Sequence, residues 1–483
     1  MTAAHAPPRP TPMRFQVSPE GASPGRFPVR VAGPDRDGGM SERLFDVDVQ
    51  DHQDVLAFHD QLAETFGTRG AGDDPRPVPE PEGPVPTCLI DRNLDPRILY
   101  GYGDPSVLRV TAENGENLFH LIVTSNDAPD KFPILTSSDL VNWTLRTFAF
   151  DASNRPAWAA DGENVADYWA PEVHRVGSAY LLCFAARGED RTMSVGLARG
   201  TDPLGPFEPC ARPTVTGNVI DPHIFVDGDT VYLYWKVDNN DKWPIELLRL
   251  LRREPELVAS FFPCPSDDRT VRLACAMLDW VETLPAMERF FLLQPLIAAV
   301  TSRYAGVRAE LRDLSQAREP HDPSQIGRIV ELMSTPVLAQ RLDPDDLALL
   351  GEPQVVLRND QPWEAHLIEG LWVTRHGDRY YACYSGNDFS TADYGVGVAV
   401  ADSPLGPFRK MSQPFVRSSA RWTGPGHPCL FAGDEGATLF LHAFQGREVG
   451  YKAFRALLAL PVGFTPEGLV VRSAALQSSG RNG

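Results

Sequence analysis

The chain has few positive charges for its size. It contains 45 lysines and arginines against 64 aspartates and glutamates in 483 residues, which gives a net charge of −19 with histidine neutral. An acidic surface of this kind is repelled by the phosphates of nucleic acids and by anionic membranes. We therefore expect no nucleic acid and no membrane among its partners. A neutral ligand such as a sugar is compatible with this charge, although the charge does not select one.

Cysteine and long apolar runs are also scarce. The seven cysteines form no Cys-x-x-Cys pair, and their odd number leaves at least one without a disulfide. Several lie inside apolar runs, where a small buried thiol is common, and this favours a reducing compartment. Residues 1–20 contain no apolar stretch typical of a secretory signal, and no uninterrupted apolar run reaches about 18 to 20 residues. The sequence thus predicts a cytoplasmic protein.

A hairpin pattern recurs along the chain. Residues 221–236 consist of an Asp-Pro opening, an apolar run, an Asp-Gly turn and a second apolar run, which is typical of two paired strands. Similar units follow other openings. We take the first residues of the five units to be Asp104, Ala170, Asp221, Glu369 and His427.

The spacing of these units predicts a β-propeller. They begin 66, 51, 148 and 58 residues apart, and the long interval becomes about 55 when a helical block of roughly 90 residues is set aside. A second echo, between 195–207 and 396–408, has an offset of 201 residues. Unrelated hairpins in an all-β chain would not explain offsets that agree. We predict an all-β fold, a five-bladed propeller over residues 89–475.

Two other regions differ from this pattern. Residues 244–334 have helical periodicity and predict an α-helical insertion after blade three, with its own core or, alternatively, acting as a lid or dimer contact. Residues 1–88 predict an extension with one short helix over 51–66 and a Gly/Pro-rich linker. Within it, residues 1–40 are expected to lack fixed structure.

The openings of the repeats suggest chemistry. In a propeller the innermost strands line one channel, so Asp104, Asp221 and Glu369 are expected to converge there. A single Asp-Pro is most often a device that starts a strand. Three carboxyls held close raise at least one pKa, however, and glycoside hydrolysis uses one protonated and one ionised carboxyl. Together the three favour function.

Six short stretches make a family resemblance specific. They are Tyr-Gly-Asp-Pro-Ser at 102–106, Ser-Asp-Leu-Val-Asn-Trp at 138–143, Tyr-Trp-Ala-Pro-Glu at 168–172, Ile-Asp-Pro-His at 220–223, Ile-Glu-Gly at 368–370 and Gly-Pro-Gly-His at 424–427. With these stretches, in this order, the chain resembles glycoside hydrolase family 43, whose members are five-bladed propellers. The resemblance spans 89–471 without the helical insertion. Leu371 follows Glu369-Gly370 where relatives commonly have proline.

The resemblance implies a role for each carboxyl. Asp104 resembles the general base that activates water, and Glu369 resembles the general acid that protonates the departing oxygen. Asp221 resembles the third carboxylate, which orients the acid and raises its pKa. The family inverts configuration, which implies about 6.5 to 9.5 Å between base and acid. His427 resembles an axial histidine that helps to hold a metal ion, often calcium, through waters. No cofactor is required for the chemistry, and a hydrogen-bonded core histidine is the alternative.

Aromatic residues near the openings are candidates for contact with substrate. These are Trp169, Phe132 and Trp372, with blade packing as the alternative for each. Strand alternation could turn Trp372 away from the channel. The predicted function is an inverting glycosidase of the α-L-arabinofuranosidase or β-xylosidase type, acting on an oligosaccharide or polysaccharide. The alternatives are a propeller glycosidase or phosphorylase for other sugars, and a catalytically silent module that binds carbohydrate or protein.

Overall fold

The computed structural model describes residues 14–17, 26–35, 39–48, seven residues between 57 and 66, and 84–472 apart from 112–114, 163–164, 285, 317–321, 434–435 and 447–448. The chain divides into two compact units. The mixed unit contains Met1–Arg76 and Asn240–Glu331, and the propeller unit contains Pro77–Asn239 and Leu332–Gly483.

The mixed unit begins with an antiparallel sheet of β1 (Arg14–Val17), β2 (Arg26–Pro34) and β3 (Met40–Asp48) in that order. Buried residues alternate along β2 and β3, as in a strand with one face covered. The described residues between 57 and 66 are helical (α1), inside the predicted helix 51–66. Phe58 and Phe66 of α1 lie 5.8 and 6.3 Å from the ring of Phe45 in β3. The remaining predicted helix residues, 51–56 among them, lie outside the described residues.

The prediction that residues 1–40 lack fixed structure is wrong for β1 and β2. Their proline, glycine and arginine content masked a period-2 pattern in which Val29 and Val31 face inward. β2 is held by its pairing with β3, a partner outside the stretch that the sequence treated as unstructured.

Six helices follow where the sequence predicts a helical insertion over 244–334. They are α2 (Trp243–Arg253), α3 (Glu256–Phe261), α4 (Pro265–Val281), α5 (Ala286–Thr301), α6 (Tyr304–Gln316) and α7 (Pro323–Leu332). α2 buries four leucines on one face. Among the described residues no single helix is long and apolar enough to cross a membrane, although Glu288–Thr301 and Tyr304–Gln316, bent by 85°, pass that test as a pair.

The propeller unit consists of five antiparallel sheets. Blade one contains β5 (Ser106–Thr111), β6 (Asn117–Ile122), β7 (Lys131–Ser137) and β8 (Thr144–Phe150). Blade two contains β9 (Trp169–Val176), β10 (Ala179–Arg187), β11 (Met193–Gly200) and β12 (Glu208–Pro209). Blade three contains β13 (Val219–Asp227), β14 (Thr230–Val237), β15 (Pro336–Leu342) and β16 (Leu349–Arg358). Blade four contains β17 (Ile368–His376), β18 (Arg379–Gly386), β19 (Gly395–Ala401) and β20 (Arg409–Lys410). Blade five contains β21 (Trp422–Gly433), β22 (Gly436–Gln445), β23 (Arg455–Thr465) and β24 (Gly468–Val471).

The five sheets form a closed ring. The first strands β5, β9, β13, β17 and β21 are neighbours in this order, and β21 also lies beside β5. β4 (Thr87–Ile90), which precedes blade one in the chain, pairs with β23 of blade five. The ring is therefore closed by main-chain hydrogen bonds between distant parts of the chain. The predicted β-propeller is confirmed, and the sheets are consistent with five blades.

Candidate active site

One residue near the start of each innermost strand has a left-handed backbone. These residues are Asp104 (φ 53°), Ala170 (φ 47°), Asp221 (φ 53°), Gly370 (φ 58°) and His427 (φ 50°). The strand register gives the same alignment, because Ile220 pairs with Lys236 in blade three as Glu369 pairs with Ser385 in blade four.

The repeat position assigned to Glu369 is therefore wrong by one residue. Gly370, not Glu369, is equivalent to Asp221, and Glu369 is equivalent to Ile220. A side chain at 370 would be strained at this φ, and its Cβ would lie 3.0 Å from the His427 ring. Glycine thus occupies the crowded position, and the acidic side chain enters the channel from the preceding residue.

The three predicted carboxyls nevertheless meet. Asp221 interacts electrostatically with both Asp104 and Glu369. All three residues are buried, each with about 9% of its surface exposed. The convergence expected from the repeats is found.

Asp104 is held as a carboxylate. Its Oδ1 accepts a hydrogen bond from Arg455 at 2.8 Å, and its Oδ2 accepts one from Thr124 Oγ1 at 2.5 Å. The Nδ1 atoms of His427 and His442 each lie 3.3 Å from Oδ1. Burial raises the pKa of Asp104, but Arg455 and the two histidines outweigh it and bring the pKa well below its ordinary value. An ionised carboxylate suits a general base.

The pKa of Asp221 is raised, whereas that of Asp104 is lowered. Burial raises its pKa to about 7; Lys236 opposes this effect and the charge of Asp104 adds to it. Its Oδ2 accepts a hydrogen bond from the backbone N–H of Gly370 at 2.9 Å.

Glu369 lies between a tyrosine and a lysine. Tyr394 donates its hydroxyl hydrogen to Oε1 at 2.8 Å, and Lys236 Nζ donates to Oε2 at 3.1 Å. Burial raises the pKa of Glu369; Lys236 lowers it and Asp221 raises it further. A carboxyl with a raised pKa suits a general acid.

Several partners of these carboxyls were missed from the sequence, among them Lys236, Tyr394 and Arg455. Lys236 did carry a signal, since it is a lone cation at the end of the apolar run Val-Tyr-Leu-Tyr-Trp. Tyr394 and Arg455 lie 25 and 351 residues from the carboxyls that they bind. No local pattern marks them.

His427 lies beside Asp104, and its backbone N–H donates to Ser385 Oγ at 2.7 Å. Its Nδ1 faces Asp104, whose two oxygens already accept bonds from Arg455 and Thr124. Calcium takes six to eight oxygen ligands, so at His427 water would have to supply most of them. A metal ion there stays a prediction, and none of the chemistry below is routed through it.

The three aromatic residues predicted to contact substrate lie in different environments. Phe132 is fully buried and packs on the rings of Phe150, Tyr168 and Phe184 at 5.6 to 6.1 Å. This favours blade packing, the alternative to its predicted contact with substrate.

Trp372 is also a packing residue. It lies 4.8 Å from the ring of His223, and its indole N–H donates to Thr374 Oγ1 at 3.1 Å. Strand alternation indeed turns it away from the position of Glu369. Trp169 is partly exposed and has the same register position as Glu369. Its contact with substrate stays a prediction.

A second polar cluster links three blades. Glu172 Oε2 lies 2.7 Å from His174 Nε2 and 2.8 Å from His223 Nδ1, an arrangement that could hold a metal ion. However, His223 Nε2 accepts the backbone N–H of Val373 at 3.0 Å, so a neutral His223 carries its proton on Nδ1 and donates it to Glu172. This bonding favours a hydrogen-bonded cluster over a metal site.

The fold and these carboxyls together define a class. A five-bladed propeller that presents one ionised carboxylate and two carboxyls of raised pKa to one channel has the groups that acid–base glycosidases use. The family model for glycosyl hydrolases family 43 matches residues 95–258 and 331–470, more than half of the chain. The chain belongs to this family, and the prediction of a glycosidase is confirmed at that level. The match omits residues 259–330 of the mixed unit.

The matches to individual proteins are weaker than the match to the family model, because each is either short or low in sequence identity. The protein is 37% identical over 68 residues to Xylosidase/arabinosidase 43A of Humicola insolens, a match that covers 14% of this chain and 21% of that protein. The structure of a thermostable family-43 glycoside hydrolase is similar with a TM-score of 0.53 and 22% identity, covering 78% of this chain and 95% of that one. A Bacteroides ovatus structure described as Xyloglucan PUL GH43B has a TM-score of 0.50 and 14% identity, covering 78% of this chain and 56% of that one. These similarities support the fold.

Proposed function

We propose that the protein is an inverting glycosidase for arabinose- or xylose-containing glycans. The proposal rests on the different pKa values of three neighbouring carboxyls. The pKa of Asp104 is lowered by Arg455 and the histidines, whereas burial raises the pKa of Asp221 and of Glu369. A carboxyl held as a carboxylate and a carboxyl whose ionisation is disfavoured by burial suit the base and the acid of glycoside hydrolysis.

Two of the carboxyls transfer a proton, and the third positions the acid. Asp104 accepts a proton from water while the water oxygen bonds to the anomeric carbon. The bond from that carbon to the leaving oxygen breaks, and Glu369 gives its proton to the leaving oxygen. Asp221 holds the backbone N–H of Gly370 and so fixes the peptide that carries Glu369. Solvent then removes the proton from Asp104 and restores the one on Glu369.

The choice of sugar is supported by the relative from Humicola insolens, which is named for xylose and arabinose. Trp169, beside Tyr451 at 6.4 Å, would supply an apolar wall for a sugar ring. A cytoplasmic location, which we retain as part of the proposal, is supported by the odd number of cysteines and by the absence of a Cys-x-x-Cys pair from the sequence.

Phosphorolysis is the alternative that the basic groups of the site raise. Arg455 could bind phosphate, but its guanidinium is bonded to the carboxylate of Asp104. Burial lowers the pKa of His442 to about 4, so this imidazole is neutral near pH 7. Both observations favour hydrolysis. A protein that only binds carbohydrate has no need for buried carboxyls with such different pKa values.

The test uses 4-nitrophenyl α-L-arabinofuranoside and β-D-xyloside, each with and without inorganic phosphate. We expect release of nitrophenol that does not depend on phosphate, with free sugar as the product. Glu369→Gln should lower kcat/KM on natural oligosaccharides by about 10²- to 10⁴-fold, the usual contribution of a general acid. Sugar phosphate as product would indicate the phosphorylase, and unchanged activity in Glu369→Gln would remove the acid assignment.

A further inference from the structure

The ammonium group of Lys236 is buried and lies beside Glu369, the proposed general acid. Its side chain is only 1% exposed, and its Nζ lies 3.1 Å from Glu369 Oε2 and 3.4 Å from Asp238 Oδ1. The corresponding register positions in blades two, four and five hold Ala185, Ser385 and His442. Since these blades form without a lysine, the fold does not require a cation at this position.

The ammonium stays charged despite its burial. Burial lowers the pKa of Lys236, but the carboxyls of Glu369, Asp238 and Asp221 outweigh it and raise the pKa above its ordinary value. Asp238, whose Oδ1 lies 3.4 Å from Nζ, remains an acidic partner of the ammonium while Glu369 holds its proton. Removing an ion from water costs several kcal/mol, which only close opposite charges offset. Lys236 is therefore a fixed positive charge that faces the group whose proton leaves during the reaction.

On the basis of the proposed function, we propose that Lys236 is a positioning residue that makes Glu369 a stronger acid. When the O–H bond of Glu369 breaks and a new one forms on the leaving oxygen, a carboxylate develops 3.1 Å from the ammonium. The charge pair is complete only after proton transfer, so the interaction is stronger in the transition state than with the protonated acid. Lys236 itself keeps all its protons.

The other groups around the pair explain why a cation is needed. The titratable groups that face Glu369 or Lys236 are Asp221, Asp238, His366, Asp388 and Tyr394. Asp388 is fully buried, and its Oδ2 has no hydrogen-bond partner among the described residues. Asp221 and Asp388 both disfavour a charge on Glu369. Without Lys236, the acid would hold its proton too tightly to give it to a weakly basic oxygen.

The test compares Lys236→Met and Lys236→Arg with the full-length protein, on aryl glycosides of the sugar that it cleaves. A 4-methoxyphenyl leaving group needs protonation, whereas 2,4-dinitrophenolate leaves without it. We expect Lys236→Met to lose about 10- to 100-fold in kcat/KM on the first substrate and less than about threefold on the second. The alkaline limb of the pH profile should move to higher pH, because loss of the cation raises the pKa of the acid. Arginine should restore both properties.

Lys131→Met is the matched control. Lys131 is equally buried and lies 3.6 Å from Asp161, but it does not contact Glu369. Its loss should affect both aryl glycosides alike. Equal losses on the two substrates in Lys236→Met, with an unmoved pH profile, would overturn the inference.

A measurement without substrate separates the two proposals. In protein labelled with ¹³C at the glutamate carboxyl, the Glu369 resonance is the one that disappears in Glu369→Gln. Its titration midpoint should move to higher pH in Lys236→Met and stay in place in Lys131→Met. An unmoved midpoint would overturn the role of Lys236 alone. A wild-type protein that cleaves no aryl glycoside would overturn the proposed function.

Discussion

The backbone N–H of Gly370 donates a hydrogen bond to Asp221 Oδ2 at 2.9 Å, so the third carboxyl is bonded to the residue that follows the acid in the chain. This bond connects blade three to blade four. Its acceptor has a pKa raised to about 7 by burial, so Asp221 is only partly ionised near neutral pH. The bond thus couples the position of Glu369 to a group whose pKa of about 7 lies near neutral pH.

Replacing Asp221 with asparagine should stabilise the fold at alkaline pH while it lowers activity. An unfolded aspartate has a pKa near 3.8 and the folded one about 7, so stability falls as pH rises between these values. The variant lacks this penalty, and its free energy of unfolding in urea at pH 8 should exceed that of the wild type by up to about 4 kcal/mol. The difference should shrink toward pH 4.

Asp139→Asn is a control in which the effect of the carboxyl on stability depends on pH in the opposite direction. The pKa of Asp139 is lowered to about 2: burial raises it, but hydrogen bonds from Asn142, Val141 and Ser137 prevail. This carboxylate stabilises the fold above the unfolded pKa, and the contribution is lost as pH falls through about 2. A stability difference for Asp221→Asn that does not depend on pH would contradict the raised pKa of that residue.

Lys410 and Glu364 form a buried ion pair in blade four that should matter for stability. Lys410 Nζ lies 2.7 Å from Glu364 Oε1, and both side chains are almost entirely buried. Lys410→Met leaves an uncompensated carboxylate and should cost about 3 to 5 kcal/mol in urea unfolding. Arg375→Met removes an ion pair with Asp227 whose arginine is half exposed, and should change stability little. Equal effects would show that burial does not decide the strength of these pairs.

The cluster of Glu172 and His223 should act without a metal ion. His223→Leu removes the acceptor of the Val373 N–H and a donor to Glu172, and should lower the free energy of unfolding by about 2 to 4 kcal/mol. His376→Leu, at an exposed histidine of β17, should cost less. A stoichiometric metal in the purified protein, whose removal by a chelator lowers the melting temperature as much as His223→Leu does, would contradict the hydrogen-bonded cluster.

The sequence predicted the propeller because repetition is a property that local patterns reveal. Each hairpin shows its period-2 run and its Gly turn, and the spacing counts the blades. The same method misplaced Glu369 by one residue, because it aligned acidic residues with one another. Backbone conformation is what the repeats share, and only the φ values show that Gly370 is the equivalent of Asp221.

The environment of the site could not be predicted in the same way. The pKa of Asp104 depends on Arg455, which is 351 residues away, and burial dominates that of Asp221. Both arise only when the ring closes. The burial of Phe132 could not be predicted either: its place near a repeat opening suggested contact with substrate, whereas the structure packs it among the rings of Phe150, Tyr168 and Phe184.

The contrast between Asp104 and Glu369 gives the sharpest test of the two assigned roles. A base activates water whatever the leaving group is, so Asp104→Asn should lower kcat by about 10²- to 10⁴-fold on 4-methoxyphenyl and 2,4-dinitrophenyl glycosides alike. Glu369→Gln should lose activity mainly on the first. Azide, which needs no base, should restore turnover of the dinitrophenyl substrate by Asp104→Asn and give a glycosyl azide of inverted configuration, identified by NMR. Azide rescue confined to Glu369→Gln would mean that the roles of the two carboxyls have been exchanged, and an azide product of retained configuration would contradict the inverting mechanism.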